Sequence, residues 1–282
     1  IIGTQPTTNT FTSNPRSAHG GATLSRALHG ASHDSLITVN GTSAFRNNNA
    51  AFNGGAILNV TSNDGGVSEI TFNGNTSFTN NTAGGMGGAL YNNDTVTFNG
   101  NANFSGNTAN GIANDIYNDG TVTFNGNTTI TGGISGTGTI NIASGKTLNI
   151  GTATLTQGSM NLDGTLLATL RAGNIPQINI IDTDGFSGTG MVKLSFDSAG
   201  TYSVFGNEIF DNTKGRLIIS TLPVHLHTIQ EIFDASRNMH RKVVVMGKKL
   251  QNIINMAIKN GYINVQKDVI GDLSDIETNR SI

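Results

Sequence analysis

This sequence of 282 residues predicts an all-β fold, a right-handed parallel β-helix (solenoid) with a C-terminal helical segment. Two observations predict the solenoid. The first is a paired motif that recurs at fixed internal spacing. Phe11-Thr-Ser-Asn14 is followed by Gly20-Gly21-Ala22, and Phe45-Arg-Asn-Asn48 by Gly54-Gly55-Ala56-Ile57. Phe78-Thr-Asn-Asn81 is followed by Gly87-Gly88-Ala89-Leu90, and Phe104-Ser-Gly-Asn107 by a decayed copy, Ala113-Asn114-Asp115-Ile116. In all four copies the second element begins nine residues after the Phe. Self-similarity at a fixed period marks a repeat architecture.

The second observation is an apolar period of two. Ile70-Thr-Phe72, Val96-Thr-Phe98 and Val122-Thr-Phe124 recur every 26 residues, and Ile37-Thr-Val39 is an earlier version. Alternation of this kind marks half-buried strands. Asn-Gly follows each one, and both residues tolerate positive φ, so a tight turn is expected there. From residue 137 on, the strands 139–142, 147–150, 154–155 and 160–162 follow in quick succession. About three strands make one 26-residue coil of a three-sided stack.

Stacking gives the motif residues structural jobs. Coils lie roughly 4.8 Å apart, as neighbouring strands do in any sheet. Phe45, Phe78 and Phe104 are then expected to form an internal aromatic column, and Asn48, Asn81 and Asn107 an amide ladder. Gly54-Gly55 and Gly87-Gly88 are expected at φ > 0 corners. Composition agrees with a thin continuous core: Gly is 37 of 282 residues, only 12% are charged and Trp is absent. A formal net charge of −2 and a pI near 6.3 lack the basic footprint of a nucleic-acid binder. No apolar run reaches the ~18 residues that a membrane helix needs.

The chain begins at Ile1 with no charged–apolar–cleavable leader, which reads as a mature or excised fragment. Cys is absent, which fits both a cytosolic protein and one threaded unfolded through an oxidising periplasm.

FxxN paired with GGA[ILV] on an Asn/Gly-rich background resembles the polymorphic outer membrane proteins, a branch of the autotransporters. The segment GTGTINIASGKTLNIG, residues 136–151, looks like the passenger repeats of rickettsial surface autotransporters. The resemblance covers residues 11–170. It implies the passenger domain of an outer membrane, cell-surface or secreted virulence protein that acts as an adhesin on host cells. Its partners would be a host-cell surface protein or glycan. By motif carry-over, the binding residues would be Phe45, Asn48, Gly54, Gly55, Ala56, Ile57, Phe78, Asn81, Gly87, Gly88, Ala89, Leu90, Phe104 and Asn107. Two departures stand out: the polymorphic proteins carry Cys, and a membrane barrel does not fit after residue 170.

The expected division is a repeat β-helix over 1–170, terminal coils or a cap over 171–222, and a helical linker with a polar tail over 223–282. Strands are expected at 178–181, 191–194 and 217–219. From Ile229 to Ala257 apolar residues fall three or four apart, which predicts a helix ending near Gly261. Val243-Val244-Val245 also allows a strand, because β-branched residues resist helices. Arg237, Arg241, Lys242, Lys248, Lys249 and Lys259 make this stretch basic.

Catalytic signals are thin. Asp34, Asp64, Glu69, Asp94, Asp115 and Asp119 are acids of the repeat body, sit mostly in turns or inserts and read as structural turn residues. His225 and His227 form an HxH pair without a third ligand, so no metal and no cofactor are expected. Thr95-x-Thr97 and Thr121-x-Thr123, one coil apart, resemble a threonine array that orders water, although Thr is a good strand residue in any case. The function expected from sequence is therefore adhesion without enzymatic activity or a nucleic-acid partner. A β-helical carbohydrate-active enzyme and an inert stalk are the alternatives.

Overall fold

The protein is described by a computed structural model that places residues 8–12, 20–26, 34–61, 66–171, 177–182, 185–196, 216–220, 226–272 and 274. The chain winds into successive coils. The first holds β1 (Thr8–Thr12) and β2 (Thr23–Arg26). The second holds β3 (Ser35–Val39), β4 (Thr42–Arg46), β5 (Asn49–Ala50) and β6 (Ile57–Val60). The third holds β7 (Ser68–Phe72), β8 (Thr76–Thr79), β9 (Thr82–Ala83) and β10 (Leu90–Asn92). The fourth holds β11 (Thr95–Phe98), β12 (Ala102–Ser105), β13 (Thr108–Ala109), β14 (Ile112–Ala113) and β15 (Ile116–Asn118).

Shorter coils follow. They hold β16 (Thr121–Phe124), β17 (Thr128–Ile130) and β18 (Ile134–Ser135), then β19 (Thr139–Ile142), β20 (Thr147–Gly151) and β21 (Leu155–Gln157). After them come β22 (Ser159–Leu162), β23 (Thr165–Leu170) and β24 (Ile178–Ile180). The last strands are β25 (Phe186–Ser187), β26 (Met191–Phe196) and β27 (Arg216–Ser220).

Each coil contributes in turn to three parallel sheets. The first runs β1-β4-β8-β12-β17-β20-β23-β26-β27, the second β2-β6-β10-β15-β18-β21-β24, and the third β25-β22-β19-β16-β11-β7-β3. A small fourth sheet of two-residue strands, β14-β13-β9-β5, turns a corner in the longer coils. This is the parallel β-solenoid that the repeats predict.

Register shows why the repeats are spaced as they are. Phe45 lies over Phe78, Phe78 over Phe104 and Val96 over Val122. Beyond them Thr121 lies over Thr139, and Thr139 over Ser159. The coil thus shortens from 33 to 26 to about 20 residues as the corner sheet is lost, and returns to 26 from Met160 to Phe186 and from Thr165 to Met191. The 26-residue unit expected after residue 137 is therefore too long for the first coils there and right for the last. Alternate residues such as Val96, Phe98, Val122 and Phe124 point inward and form one buried column from Val39 to Leu194.

The C-terminal stretch is not one helix. α1 (Leu226–Asn238) ends before an extended segment, and α2 (Lys248–Lys259) begins after Gly247 at φ 97°. Val243 pairs in parallel with Ile270. The β-branched run resists helix, as the alternative reading of 243–245 allowed. Ile229 and Phe233 of α1 pack with Ile254 and Ala257 of α2 and with Ile263 and Val269 in a second, separate core. The polar tail is held to the helical unit as far as Ile270, because Val269 is buried in that core.

Candidate functional site

The motif residues lie inside the solenoid. Phe11, Phe45, Phe78 and Phe104 form the expected aromatic column, with ring centroids 4.5, 4.8 and 4.6 Å apart. A second column that the repeat reading did not name, Phe72–Phe98–Phe124, stacks at 5.0 and 5.5 Å. It meets the first edge-on at about 6 Å, the favourable geometry for ring quadrupoles. Its signal was present in the alternation of Ile70-Thr-Phe72 and its copies.

The amide ladder is present as expected. Asn48 Nδ2 donates to Asn81 Oδ1 and Asn81 Nδ2 to Asn107 Oδ1, each at 2.9 Å. A second buried ladder runs from Asn59 to Asn92, Asn118 and Gln157 at 2.7–2.8 Å. The asparagines of the Asn-Gly pairs form a third ladder outside, Asn125 to Asn99 to Asn73 to Asn40.

The glycine reading is corrected in part. Gly54 and Gly87 do sit at positive φ. Gly55 and Gly88 do not. A Cβ on Gly55 would lie 1.9 Å from the Gly88 oxygen, and one on Gly88 2.4 Å from the Asn114 oxygen, so glycine is needed there for coil-to-coil contact. The Asn-Gly turns differ in the same way. Gly74, Gly100 and Gly126 are absent from the positive-φ set, and a Cβ on any of them would strike the backbone of the coil below. The left-handed corner falls instead on the third FxxN position: Asn47, Asn80 and Gly106. Ala56, Ala89, Ile57 and Leu90 are buried alongside.

Asp115 closes the first buried ladder. Its Oδ1 accepts from Asn107 Nδ2 at 2.7 Å, and its Oδ2 from the Thr131 and Gly132 amides at 3.0 and 2.6 Å. Burial pushes its carboxyl above the usual range, opposed by those donors. Three of the other acids do turn work: Asp34 accepts from the Val67 amide, Asp94 from Ser68 and Asp119 from Thr137, whereas Glu69 lies within β7 and accepts from Thr71. Asp64 and His225 lie outside the described residues. Among the described residues no group of three His, Asp or Glu is placed to hold a metal.

The threonine array is longer than its two clean copies. Thr38, Thr71, Thr97 and Thr123 stand in register on the outer face of the third sheet, followed by Asn141 and Asn161. Several of its polar groups already pair within the face: Thr139 with Ser159, Thr71 with Glu69, and Asn141 with Thr123. Tyr91 and Tyr117 stack at 5.2 Å on the second sheet, and burial together with the Asp119 carboxylate pushes both hydroxyls up.

Charge divides the chain in two. Residues 214–282 hold ten of its 16 Lys and Arg but six of its 18 Asp and Glu, which gives that stretch +4 and leaves −6 on the rest. In the two-helix unit Arg237, Lys242, Lys248, Lys249 and Lys259 are exposed. Arg241 is half-buried, which pushes its guanidinium down. α2 opens at Gly247 with no side-chain cap and no acid in its first turn.

Residues 214–281 match the model of the ribonuclease J β-CASP domain. Ribonuclease J 2 of Staphylococcus saprophyticus is 31% identical over 70 residues, which is 25% of this chain and 13% of that protein. The Staphylococcus epidermidis protein of the same name gives the same figures, and that of Staphylococcus aureus is 29% identical over the same length. The chain thus spans about an eighth of the relatives it matches. No solved structure matches.

This β-CASP match overturns several expectations. The recognition as an autotransporter passenger is corrected, and with it the adhesin function, the host-surface partner and the outer-membrane or secreted location. The carbohydrate-active enzyme and the stalk fall as well. The reading as a non-enzyme without a nucleic-acid partner is corrected too, because the matched family is a ribonuclease. The exclusion of nucleic acid failed because a whole-chain charge averages an acidic solenoid with a basic C-terminal stretch. The signal that could have found the match is the succession of strand, helix, β-branched strand and helix from Arg216 to Lys259.

Proposed function

We propose that this protein acts on RNA, and that residues 214–281 serve it as a segment of ribonuclease J β-CASP type. The observation that carries the reading is the match of that continuous segment, which spans the two-helix unit and its separate core. The clustered basic charge supports it, since Lys and Arg that neutralise phosphates supply most sequence-independent affinity for nucleic acid. Lys248 and Lys249 flank the uncapped N-terminus of α2, whose free amides and dipole favour an anion. The activity proposed is RNA cleavage, with this segment holding the phosphate backbone.

The proposal keeps three parts: a repeat β-helix over 1–170, terminal coils over 171–222 and a helical unit with its tail over 223–282. In it the buried FxxN and GGA residues maintain the scaffold. The test is fluorescence anisotropy with a labelled single-stranded RNA across a salt series, with a cleavage assay on the same RNA. Binding should weaken linearly with the logarithm of salt, by a slope of ~0.7 per phosphate contacted on a single strand. The double variant Lys248→Glu, Lys249→Glu should weaken binding and flatten that slope. No binding at low salt, or no effect of the charge reversal, overturns the reading.

A further inference from the structure

The junction between solenoid and helical unit carries an inference about how they join. β27 pairs in parallel with β26, placing Ile218 beside Lys193 and Ile219 beside Leu194. It is the last strand of the first sheet, so its outer edge has no strand neighbour among the described residues. The outward rank that Ile218 ends is mostly polar: Ser77, Asn103, Thr129, Asn149, Leu167 and Lys193 precede it. Ile218 nevertheless stands 40% exposed. A strand with apolar residues on both faces is the kind that parallel α/β sheets cover with helices.

A second parallel edge lies open in the same chain. Val243 donates to the Val269 oxygen and accepts from the Gly271 amide, so its polar groups face 269–271. In an extended strand the groups of Val244 point to the opposite edge, which has no strand neighbour among the described residues. The two edges are joined by 22 residues that contain α1, and a parallel neighbour needs a crossover of a dozen or more, usually a helix. The β-CASP match also begins at residue 214, before β27, so it treats this strand and the helices as one segment.

We propose that the helical unit docks on β27, with residues 243–246 running parallel to it as a tenth strand of the first sheet and α1 covering Ile218. The docking leaves neither edge open to another chain. It is independent of the RNA reading, which needs only the basic surface.

Hydrogen exchange on the full chain tests it, together with cysteine pairs placed in a sequence that has none. Pairing should make the Val244 amide exchange at least roughly tenfold slower than an unpaired one, and Ile218→Lys should remove that protection while the solenoid melts unchanged. On oxidation, Ile218→Cys should cross-link to either Val243→Cys or Val245→Cys, which lie on the face that α1 covers, and not to Tyr262→Cys, an exposed control. Val244 exchanging at the unpaired rate, with cross-linking no greater than the control, overturns the proposal. The exchange measurement on the unaltered chain decides alone if a variant fails to fold.

Discussion

At the scale of single residues, two buried side chains show opposite kinds of dependence on the fold. Phe78 is fully buried between Phe45 and Phe104 and meets Phe72 and Phe98 edge-on. Phe78→Ala leaves a cavity with stacked rings above and below, and should cost ~3–5 kcal/mol in denaturant unfolding. Asp115 is equally buried but ionisable. Because its folded carboxyl is raised above 3.8, the folded state binds the proton more tightly than the unfolded one. Stability should therefore fall as pH rises from the ordinary aspartate range through the raised value of the folded state. Asp115→Asn should abolish that slope in a pH series of unfolding midpoints. It should also cost ~1–3 kcal/mol, because an amide cannot accept all three donated hydrogen bonds.

At the scale of elements, the coil spacing depends on glycines chosen for two different reasons. Gly55 and Gly88 permit backbone contact between coils, whereas Gly145 needs only a positive φ of 71° and has nothing near its missing Cβ. Gly55→Ala should cost ~1–3 kcal/mol or more through overpacking. Gly145→Ala should cost only ~1 kcal/mol through backbone strain. Equal losses in melting experiments would refute the distinction. The helical stripe from Ile229 to Ala257 shows the limit of periodicity alone. Apolar spacing continued across residues 241–246, but three consecutive valines and Gly247 broke the helix in two.

At the scale of the whole molecule, two hydrophobic cores share no buried residue. Unfolding should therefore depart from a single two-state transition. Phe233→Ala should lower only the transition of the helical unit, by ~3–5 kcal/mol, with the solenoid's transition unmoved.

The sequence alone determined the solenoid, because a residue repeated once per coil must lie on its own copy. Phe45 over Phe78 and Asn48 over Asn81 follow from spacing without any knowledge of the third dimension. The β-branched run at 243–245 and the basic cluster were likewise legible one by one, but not their joint meaning. A resemblance carried by the repeats was extended to the function of the whole chain, and the match lies instead in the segment beyond them. The tertiary structure decided what depends on contacts between coils. It showed which glycines are excluded by a neighbouring carbonyl rather than by φ, that Asp115 closes a buried ladder, and that Val243 reaches Ile270 across a helix. These are distances between residues far apart in the chain, and no local pattern of residue types encodes them.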